Sequence, residues 1–409
     1  MRSKKAIAIL TTARSDFGLL KSVIWNASLR FDVDVLVSGS HFLVSRGSTI
    51  NEIREELVKV SSVRIVALDA MEESCSPADQ IKTLAGIQIK ASDWFAKNFY
   101  DLLLFLGDRW ELWGVTLPAF LYGIPLAHIS GGEVTEGVID ENVRHAHTKM
   151  SGLHFVAAKE YARNISLMGE EDWRIAVVGE CGLDLIHNSE IASVADVMSR
   201  FGVNLDRETI LVTFHPSTLD YQNSAQYQID SVLVALECFS DYQIVFTAPG
   251  IEQGSEVVLS AIRKFVADHN NSILVDHFGS RHYLTVMSMS KVVVGNSSSG
   301  LVEASSFGIP AINVGNRQKN RLSAESVQHV PYHSEAIKVA ITQALSIEYQ
   351  AFAHTCLNPY DPYRDGKNSL RIIQAVERAL LTCSREQLRL KKFENDLRSK
   401  DWNTLLKQD

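Results

Sequence analysis

A serine-rich turn between two apolar runs has the clearest chemical potential in this sequence. The apolar run 292–294 stops at Gly295, and the following turn contains Ser297 and Ser298 before a helix-like segment that carries Glu303. Backbone N–H groups and hydroxyls at a helix N-terminus suit a phosphate, and a carboxylate one turn further on can accept hydrogen bonds from ribose hydroxyls. Serine is also a favoured helix N-cap residue, so surplus capping serines are the alternative interpretation.

A basic loop follows the next apolar run and strengthens the phosphate interpretation. The run 309–314 ends at Gly315, and Arg317, Lys319 and Arg321 come directly after it. In a parallel sheet both turns lie at the carboxyl ends of strands, where ligands bind. An arginine from the second turn can close over a phosphate held by the first. The combination therefore favours a phosphate site over simple helix capping.

Three acidic residues in the first half of the sequence occupy comparable positions. Asp108 follows the apolar run 102–106, Glu133 follows a Gly-Gly pair after the run 125–129, and Asp140 opens a helix-like segment. Crowded or buried carboxylates acquire divided pKa values, which suits general acid and base catalysis. A structural cap formed by Asp108 and its neighbour is the alternative at the first position.

Other charged or histidine side chains also follow apolar runs. Arg14 lies in the first such turn and could meet a phosphate, although a surface arginine is the alternative. His215 ends another strand-like run, where a structural histidine is an equally good interpretation. His145 and His147 stand two residues apart, a spacing that cannot place both on one helix face. For these two and His154 we expect polar or packing roles, and no metal site.

Composition and charge limit the classes of function. The 409 residues are 46% hydrophobic and 22% charged, as in an ordinary globular protein with two domains. A net charge of −8 argues against a nucleic-acid binder. Five cysteines without a CxxC pair exclude a standard zinc knuckle and fit a reducing cytoplasm. The start of the sequence shows no signal-peptide pattern, and the apolar segment 112–129 is interrupted by two prolines, so we expect a cytoplasmic protein without a membrane span.

Apolar runs alternate with helix-length segments almost throughout, which indicates an α/β fold. Near-continuous apolar strands indicate burial on both faces of a parallel sheet, and helices between them indicate a doubly wound arrangement. We predict an N-terminal domain over 1–186, a second domain over 187–369, a helix at about 370–383 and a charged tail over 384–409. The predicted strands are 6–10, 33–37, 63–68, 102–106, 125–129, 153–157 and 175–178, then 210–214, 244–247, 273–275, 291–294 and 311–314.

Taken together, these turns resemble the UDP-N-acetylglucosamine 2-epimerase family, most closely its hydrolysing branch in bacterial sialic-acid-type sugar biosynthesis. The resemblance covers roughly residues 5–325. The most specific stretches are Asp140-Glu141-x-x-Arg144-His145-x-x-Thr148-Lys149, Gly295-Asn296-Ser297-Ser298 and Asn316-Arg317-Gln318-Lys319. It implies a GT-B-like fold, in which two Rossmann-like doubly wound domains face a central cleft. It also implies that the nucleotide lies mainly on the second domain and that the C-terminal helix returns to the first.

The resemblance further implies a reaction and a set of site residues. UDP leaves by anti elimination, and water adds to the resulting 2-acetamidoglucal to give free N-acetylmannosamine, without a metal or another cofactor. The implied partners are a UDP-sugar and a second copy of the chain in a homodimer. The implied catalytic or sugar-contacting residues are Asp108, Glu133, Asp140 and His215. The implied nucleotide or substrate contacts are Arg14, Arg109, His215, Phe278, Ser297, Ser298, Glu303 and Arg317.

Two positions depart from the family pattern. Ser130 stands where many members have a glutamate, so the second acid or base would be Glu133, and Gly18 replaces a frequent serine. The nearest rival function is the same chemistry on a nucleotide-linked 2,4-diacetamido-2,4,6-trideoxy hexose, a legionaminic acid precursor. A GT-B glycosyltransferase and an inactive sugar-nucleotide sensor are rivals of other classes. The carboxylate set favours elimination over transfer.

Overall fold

The computed structural model describes residues 4–393 except 44–47, 59, 61, 70–71, 73–75, 137, 189–190, 219 and 251–252. The chain forms two compact units. Unit 1 comprises the chain up to Glu133, Asn142–Asp184, and the chain from Pro362 onward. Unit 2 comprises Val134–Glu141 and Leu185–Asp361. The predicted boundary at 186 lies close to Asp184, whereas the separate assignment of Val134–Glu141 is not visible in the sequence pattern.

Unit 1 contains a seven-stranded parallel sheet in the order β3-β2-β1-β4-β5-β6-β7. Its strands are β1 Ala6–Thr11, β2 Asp32–Val37, β3 Val63–Ala67, β4 Leu102–Leu106, β5 Leu126–Ile129, β6 Leu153–Val156 and β7 Ile175–Val177. All five residues of β4 are buried. The continuous apolar sequence of this strand therefore reflects helices on both faces of the sheet.

The helices of unit 1 include a C-terminal one that completes its core. The helices are α1 Arg14–Ser28, α2 Ile50–Leu57, α3 Pro77–Phe95, α4 Trp113–Leu121, α5 Asp140–Met150 (its first two residues in unit 2), α6 Lys159–Leu167, α7 Asp184–His187 (only Asp184 in unit 1), α15 Asn368–Thr382 and α16 Arg385–Arg389. Helix α15 buries Ile372, Ile373 and Val376 in the same apolar cluster as residues of α1. An ion pair between Arg30 and Glu377 lies beside this contact.

Unit 2 contains a six-stranded parallel sheet in the order β10-β9-β8-β11-β12-β13. Its strands are β8 Thr209–Thr213, β9 Gln243–Thr247, β10 Ser272–Val275, β11 Val292–Gly295, β12 Ala311–Val314 and β13 Val327–Val330. Its remaining helices are α8 Val194–Phe201, α9 Ala225–Leu236, α10 Ser255–Asp268, α11 Ser280–Ser288, α12 Ser299–Val302, α13 Ser334–Ala344 and α14 Ile347–Ala353. The two parallel α/β sheets confirm the predicted fold class.

Other expectations have mixed outcomes. The apolar segment 112–129 forms α4 and β5, as predicted. Across the residues that the structure describes, no helix is long and apolar enough to cross a membrane. The four described cysteines are free thiols. Ser189 and Glu190 of the predicted linker, Cys75, and residues 394–409 of the predicted tail lie outside the described residues.

Candidate functional site

In unit 1, Arg144 brings two of the predicted acids together. Asp108 follows β4, and its carboxylate pairs with the Arg144 guanidinium. The same guanidinium donates a hydrogen bond from Nη1 to the carbonyl oxygen of Glu133, at 3.1 Å. Arg144 is only 1% exposed, whereas the Asp108 side chain is 28% exposed. A buried cation thus fixes an accessible carboxylate beside the turn that carries Glu133.

The third predicted acid, Asp140, belongs to unit 2 rather than to unit 1. Asp140 begins α5, as predicted, and belongs to Val134–Glu141 in unit 2. That segment is tied to the basic loop of the same unit, because Glu136 lies 2.8 Å from Lys319 Nζ and accepts a 2.6 Å hydrogen bond from Asn320 Nδ2. The loop that follows β12 and the start of α5 are therefore structurally linked.

The two arginines predicted to contact ligand in unit 1 both have acidic partners. Arg14 Nε lies 3.0 Å from a Glu52 carboxylate oxygen at the start of α2. Arg109 Nη2 lies 2.5 Å from the buried carboxylate of Glu111. Burial, with the nearby positive charge of Arg109, lowers the pKa of His41 to about 3. Both arginines are thus held at this edge by the protein itself before any ligand binds.

The histidines of unit 1 have packing roles, as expected for two of the three considered above. His147 donates a hydrogen bond from Nδ1 to Val143 O at 2.9 Å, and its Nε2 is hydrogen-bonded to Thr116 Oγ1 at 3.0 Å. Burial lowers the pKa of His147 to about 4. His154 Nε2 lies 3.2 Å from a carboxylate oxygen of the buried Glu170. Within the described ranges, no group of three or more His, Cys, Asp or Glu side chains could hold a metal ion.

In unit 2, the serine turn follows a glycine that no other residue can replace without a clash. Gly295 has a φ of 140°, and an added Cβ would lie 2.0 Å from the carbonyl oxygen of Thr213. The end of β11 therefore lies close against β8 where the serine turn begins. There Ser297 Oγ accepts a 3.0 Å hydrogen bond from Ser299 Oγ, and Ser299 Oγ lies 2.7 Å from the Tyr283 hydroxyl.

The helix after this turn is shorter than predicted. Helix α12 ends at Val302, and a 3-10 segment begins at Ala304, so Glu303 lies between two short helical turns. Glu303 is half-buried. Among the groups that the structure describes, Ser298 makes no side-chain capping hydrogen bond. The interpretation of surplus capping serines is therefore weakened at this position.

His215 is oriented by two hydrogen-bonding arrangements. Its backbone N–H and carbonyl pair with the side-chain amide of the buried Asn296, both at 2.7 Å. The Gly250 backbone N–H donates to His215 Nδ1 at 3.0 Å. Because Nδ1 accepts this bond, the neutral ring carries its proton on Nε2. The donor of this imidazole ring is thus its Nε2–H group.

Asn296 also anchors the basic loop. Its backbone carbonyl oxygen accepts hydrogen bonds from Arg317 Nη1 at 3.4 Å and from Gln318 Nε2 at 2.9 Å. Asn296 therefore joins the serine turn, His215 and the loop arginine in one hydrogen-bonded group. That group has the donors needed for a diphosphate: hydroxyls, an imidazole N–H and a guanidinium.

Phe278, for which the family resemblance implied a contact with the base, is buried. Its side chain is 4% exposed, and its ring centroid lies 4.8 Å from that of Phe201 in an edge-on arrangement. A base contact at this position would therefore be made by the backbone rather than by the ring.

Sequence reasoning missed one carboxyl group at this edge of unit 1. Glu180 follows β7, is only 6% exposed, and accepts a 3.1 Å hydrogen bond from Ser130 Oγ. Burial and the negative charge of Glu133 raise the pKa of Glu180 to about 7. The sequence did contain a signal for Glu180, because it follows the apolar run 175–178. The other candidates were identified in the same way, as polar residues that follow an apolar run.

Comparison with known proteins identifies the family of this chain. The sequence model of the UDP-N-acetylglucosamine 2-epimerase family matches residues 25–377. A Campylobacter jejuni protein named GDP/UDP-N,N'-diacetylbacillosamine 2-epimerase (hydrolyzing) is 31% identical over 80% of this chain and 84% of its own length. A Legionella pneumophila protein named UDP-N,N'-diacetylbacillosamine 2-epimerase (hydrolyzing) is 30% identical over 91% of this chain and 96% of its own.

A solved structure gives the same result for the fold. The crystal structure of the UDP-GlcNAc 2-epimerase from Neisseria meningitidis bound to UDP-GlcNAc aligns with a TM-score of 0.75 and 18% identity. The alignment covers 91% of this chain and 99% of that one. The GT-B-like fold class is therefore confirmed. Since the family model spans most of the sequence and two relatives are 30% and 31% identical over at least 80% of it, this chain belongs to the UDP-N-acetylglucosamine 2-epimerase family.

Proposed function

We propose that this chain is a hydrolysing 2-epimerase of nucleotide-linked N,N'-diacetylbacillosamine, a 2,4-diacetamido-2,4,6-trideoxy hexose. The observation that carries this choice of sugar is the name shared by the two relatives at 30% and 31% identity. The sequence alone favoured UDP-N-acetylglucosamine, which becomes the second candidate and is supported by the description of the family model. The order of the two substrates is thus reversed.

The proposed reaction needs a base for the sugar and hydrogen-bond donors for the leaving diphosphate. A carboxylate of unit 1 removes the proton at C2 of the sugar while the bond from C1 to the diphosphate oxygen breaks, and the electron pair of the C–H bond forms the C1–C2 double bond. Water then adds across that double bond, its hydroxyl at C1 and a proton at C2, which releases the free sugar epimerised at C2. We assign proton removal to Asp108 and the hydration steps to Glu133 and Asp140.

The leaving diphosphate gains negative charge as the C1–O bond breaks. We assign its stabilisation to His215 Nε2–H, the Ser297 and Ser298 turn and Arg317 of unit 2, and to Arg14 and Arg109 of unit 1. Glu303 accepts hydrogen bonds from the ribose. Preorganised donors are effective because they need little reorientation during the reaction, and the hydrogen bonds to Asn296 supply that preorganisation. A homodimer, implied by the family resemblance, is part of this proposal and can be tested by sedimentation equilibrium.

The function is tested by proton NMR of the purified protein in D2O with each candidate sugar nucleotide, without metal or acceptor. We expect free 2-epimerised sugar carrying deuterium at C2, together with nucleoside diphosphate, from UDP- or GDP-N,N'-diacetylbacillosamine. Faster turnover of UDP-N-acetylglucosamine would instead establish the second candidate. Turnover of neither sugar nucleotide would overturn the proposal and favour a transferase or a sensor.

Replacing Arg317 by alanine should weaken binding of the nucleoside diphosphate. A hydrogen bond to a charged group contributes about 1.5–3 kcal/mol, so we expect the Kd to rise roughly 10- to 150-fold. Isothermal titration calorimetry with UDP measures this directly. Arg263→Ala, on the exposed side of α10, is the matched control and should bind UDP normally. Unaltered affinity in Arg317→Ala would refute the placement of this arginine on the diphosphate.

Replacing Glu133 by glutamine should slow product formation by at least about 100-fold, because the amide cannot transfer a proton. The side chain is 1% exposed, and glutamine has nearly the same shape, so the fold should be retained. Quenched time courses with the substrate identified by NMR give the rate. Full activity of Glu133→Gln would mean that another group, not Glu133, carries out this step.

A further inference from the structure

Glu180 is held in place by the C-terminal helix of unit 1. The Asn368 side-chain amide donates a 3.0 Å hydrogen bond to the Glu180 carbonyl oxygen. The backbone N–H of Asn368 in turn donates to the Asp184 carboxylate at 2.8 Å. Asn368 is fully buried at the start of α15. The backbone that presents the Glu180 carboxyl is therefore fixed by interactions far apart in the sequence.

The Glu180 carboxyl reaches the turn that carries Glu133. Its Oε2 accepts the hydrogen bond from Ser130 Oγ, at 3.1 Å, and its Oε1 lies 3.5 Å from the Cys181 thiol. Ser130 has a φ of 62°, in the left-handed region that a residue with a Cβ rarely adopts. The surrounding structure must over-determine such a conformation. The bond to Glu180 is one of the interactions that hold it.

Only two residues separate Ser130 from Glu133, so the anchoring of Ser130 restricts the backbone that carries Glu133. Ser130 also donates its backbone N–H to Phe155 O at 2.9 Å, so its main chain is anchored to β6 while its side chain is anchored to the β7 turn. Asn164 Nδ2 donates to the Gly132 carbonyl at 2.8 Å, which fixes the other side of the same turn. The orientation of Glu133 thus depends on a short, doubly anchored turn.

We propose that Glu180 is a positioning residue whose carboxyl, through Ser130, holds the turn that carries Glu133 and whose protonation state sets the charge beside Glu133. The role in catalysis rests on the proposed function, in which Glu133 acts on the sugar. We assign Glu180 no contact with the substrate or the reacting atoms. It is distinct from the predicted acids, since it lies on a turn that none of them shares.

The electrostatic surroundings support this role. The groups that act on Glu180 are the charge of Glu133, the Ser130 hydroxyl, the Cys181 thiol and the Gly182 backbone. The neighbouring Cys181 thiol is in turn subject to the negative charge of Asp184. Burial and Glu133 raise the pKa of Glu180 to about 7, against the opposing effect of the hydrogen bonds. Glu180 therefore changes charge near neutral pH. Below that pH the turn carries one negative charge fewer than above it.

The test measures the protonation of Glu180 without relying on turnover. Infrared difference spectra of the whole protein, recorded from about pH 5 to about pH 9, report the C=O stretch of a protonated carboxyl. We expect a band that disappears with a midpoint near pH 7, that is absent in Glu180→Gln, and that is unchanged in the control Glu160→Gln, on the exposed face of α6. Persistence of the band in Glu180→Gln would overturn the assignment.

Two further variants test the coupling, and they must act in opposite directions. Glu133→Gln removes a negative charge and should lower the midpoint, whereas Ser130→Ala removes a donor to the ionised carboxylate and should raise it. A midpoint that moves in neither variant would overturn the coupling even if Glu180 titrates. These spectra need no substrate, so failure of the proposed function would leave this part of the inference testable.

The catalytic consequence is tested by pH profiles of kcat with the substrate identified by NMR. We expect an inflection near pH 7 in the unaltered protein that is lost in Glu180→Gln and shifted to higher pH in Ser130→Ala. A merely structural role of Glu180 would lower kcat at every pH without removing the inflection. An inflection that survives in Glu180→Gln would therefore refute the positioning role.

Discussion

Replacing Asp108 by asparagine should reduce turnover by about 10²- to 10⁴-fold while leaving UDP affinity within about twofold of the original. Asparagine matches the shape of aspartate but cannot accept the C2 proton. Its side chain is also part-exposed, so a group there can reach a ligand. The diphosphate contacts that we assign to unit 2 do not involve Asp108. Proton removal and nucleotide binding should therefore separate in this variant.

The measurement pairs single-turnover kinetics with calorimetric titration of UDP. Asp93→Asn, which makes the same chemical change at an exposed position of α3, is the control and should be fully active. Because Asp108 also pairs with the buried Arg144, the asparagine variant could disturb the Glu133 turn. Normal UDP binding and an unchanged midpoint of chemical denaturation would exclude misfolding as the cause. Normal turnover would remove Asp108 from the mechanism.

The second large effect is expected at Gly295, where alanine should both destabilise the protein and abolish UDP binding. The added Cβ would lie 2.0 Å from the Thr213 carbonyl oxygen, and the φ of 140° is itself unfavourable for alanine. A backbone oxygen in a parallel ladder cannot move aside as a flexible side chain can. Backbone strain together with overpacking should lower the free energy of unfolding by about 3–5 kcal/mol.

Alanine substitutions at two other glycines distinguish the contribution of backbone strain from that of the close approach to Thr213. Gly202→Ala introduces alanine at a φ of 69° in open space, so it measures backbone strain alone, and about 1 kcal/mol is expected. Gly300→Ala, in the same serine turn, places its Cβ at an ordinary 3.7 Å from Ala311 and Val293, so UDP binding should survive. Urea denaturation and UDP titration report both quantities. Equal stability of the Gly295 and Gly202 variants would show that the close approach costs nothing.

The fold was largely predictable because its strands are buried on both faces. Strand β4 is a continuous apolar run with exact ends, β12 has exact ends although it contains Asn313, and every predicted strand is confirmed to within a residue or two. Strand β13 was not predicted, since its sequence Val-Gln-His-Val contains two polar residues and three of its four positions are not fully buried. An edge strand lacks the pattern that burial on both faces imposes.

The positions of the candidate site residues in the fold were predictable, but the contacts between them were not. Residues such as Asp108 and His215 could be identified because polar groups at the ends of buried parallel strands lie at the ligand-binding edge. Their partners could not, since the pairing of Asp108 with Arg144 spans 36 residues and that of Ser130 with Glu180 spans 50. Such contacts follow from sheet order, which local patterns do not specify. For Phe278, resemblance implied a base contact, whereas the packing of its ring depends on Phe201.

Unit 1 is built from three separate segments of the chain, and this determines the order in which the two units can be completed during synthesis. Unit 2 has all its residues once Asp361 has been added, whereas unit 1 still lacks α15 and the apolar side chains that this helix contributes to its core. At about 5–20 residues per second, the further 21 residues to Thr382 take roughly one to four seconds. The N-terminal segments of unit 1, translated first, must therefore wait with an incomplete core until after unit 2 is fully translated.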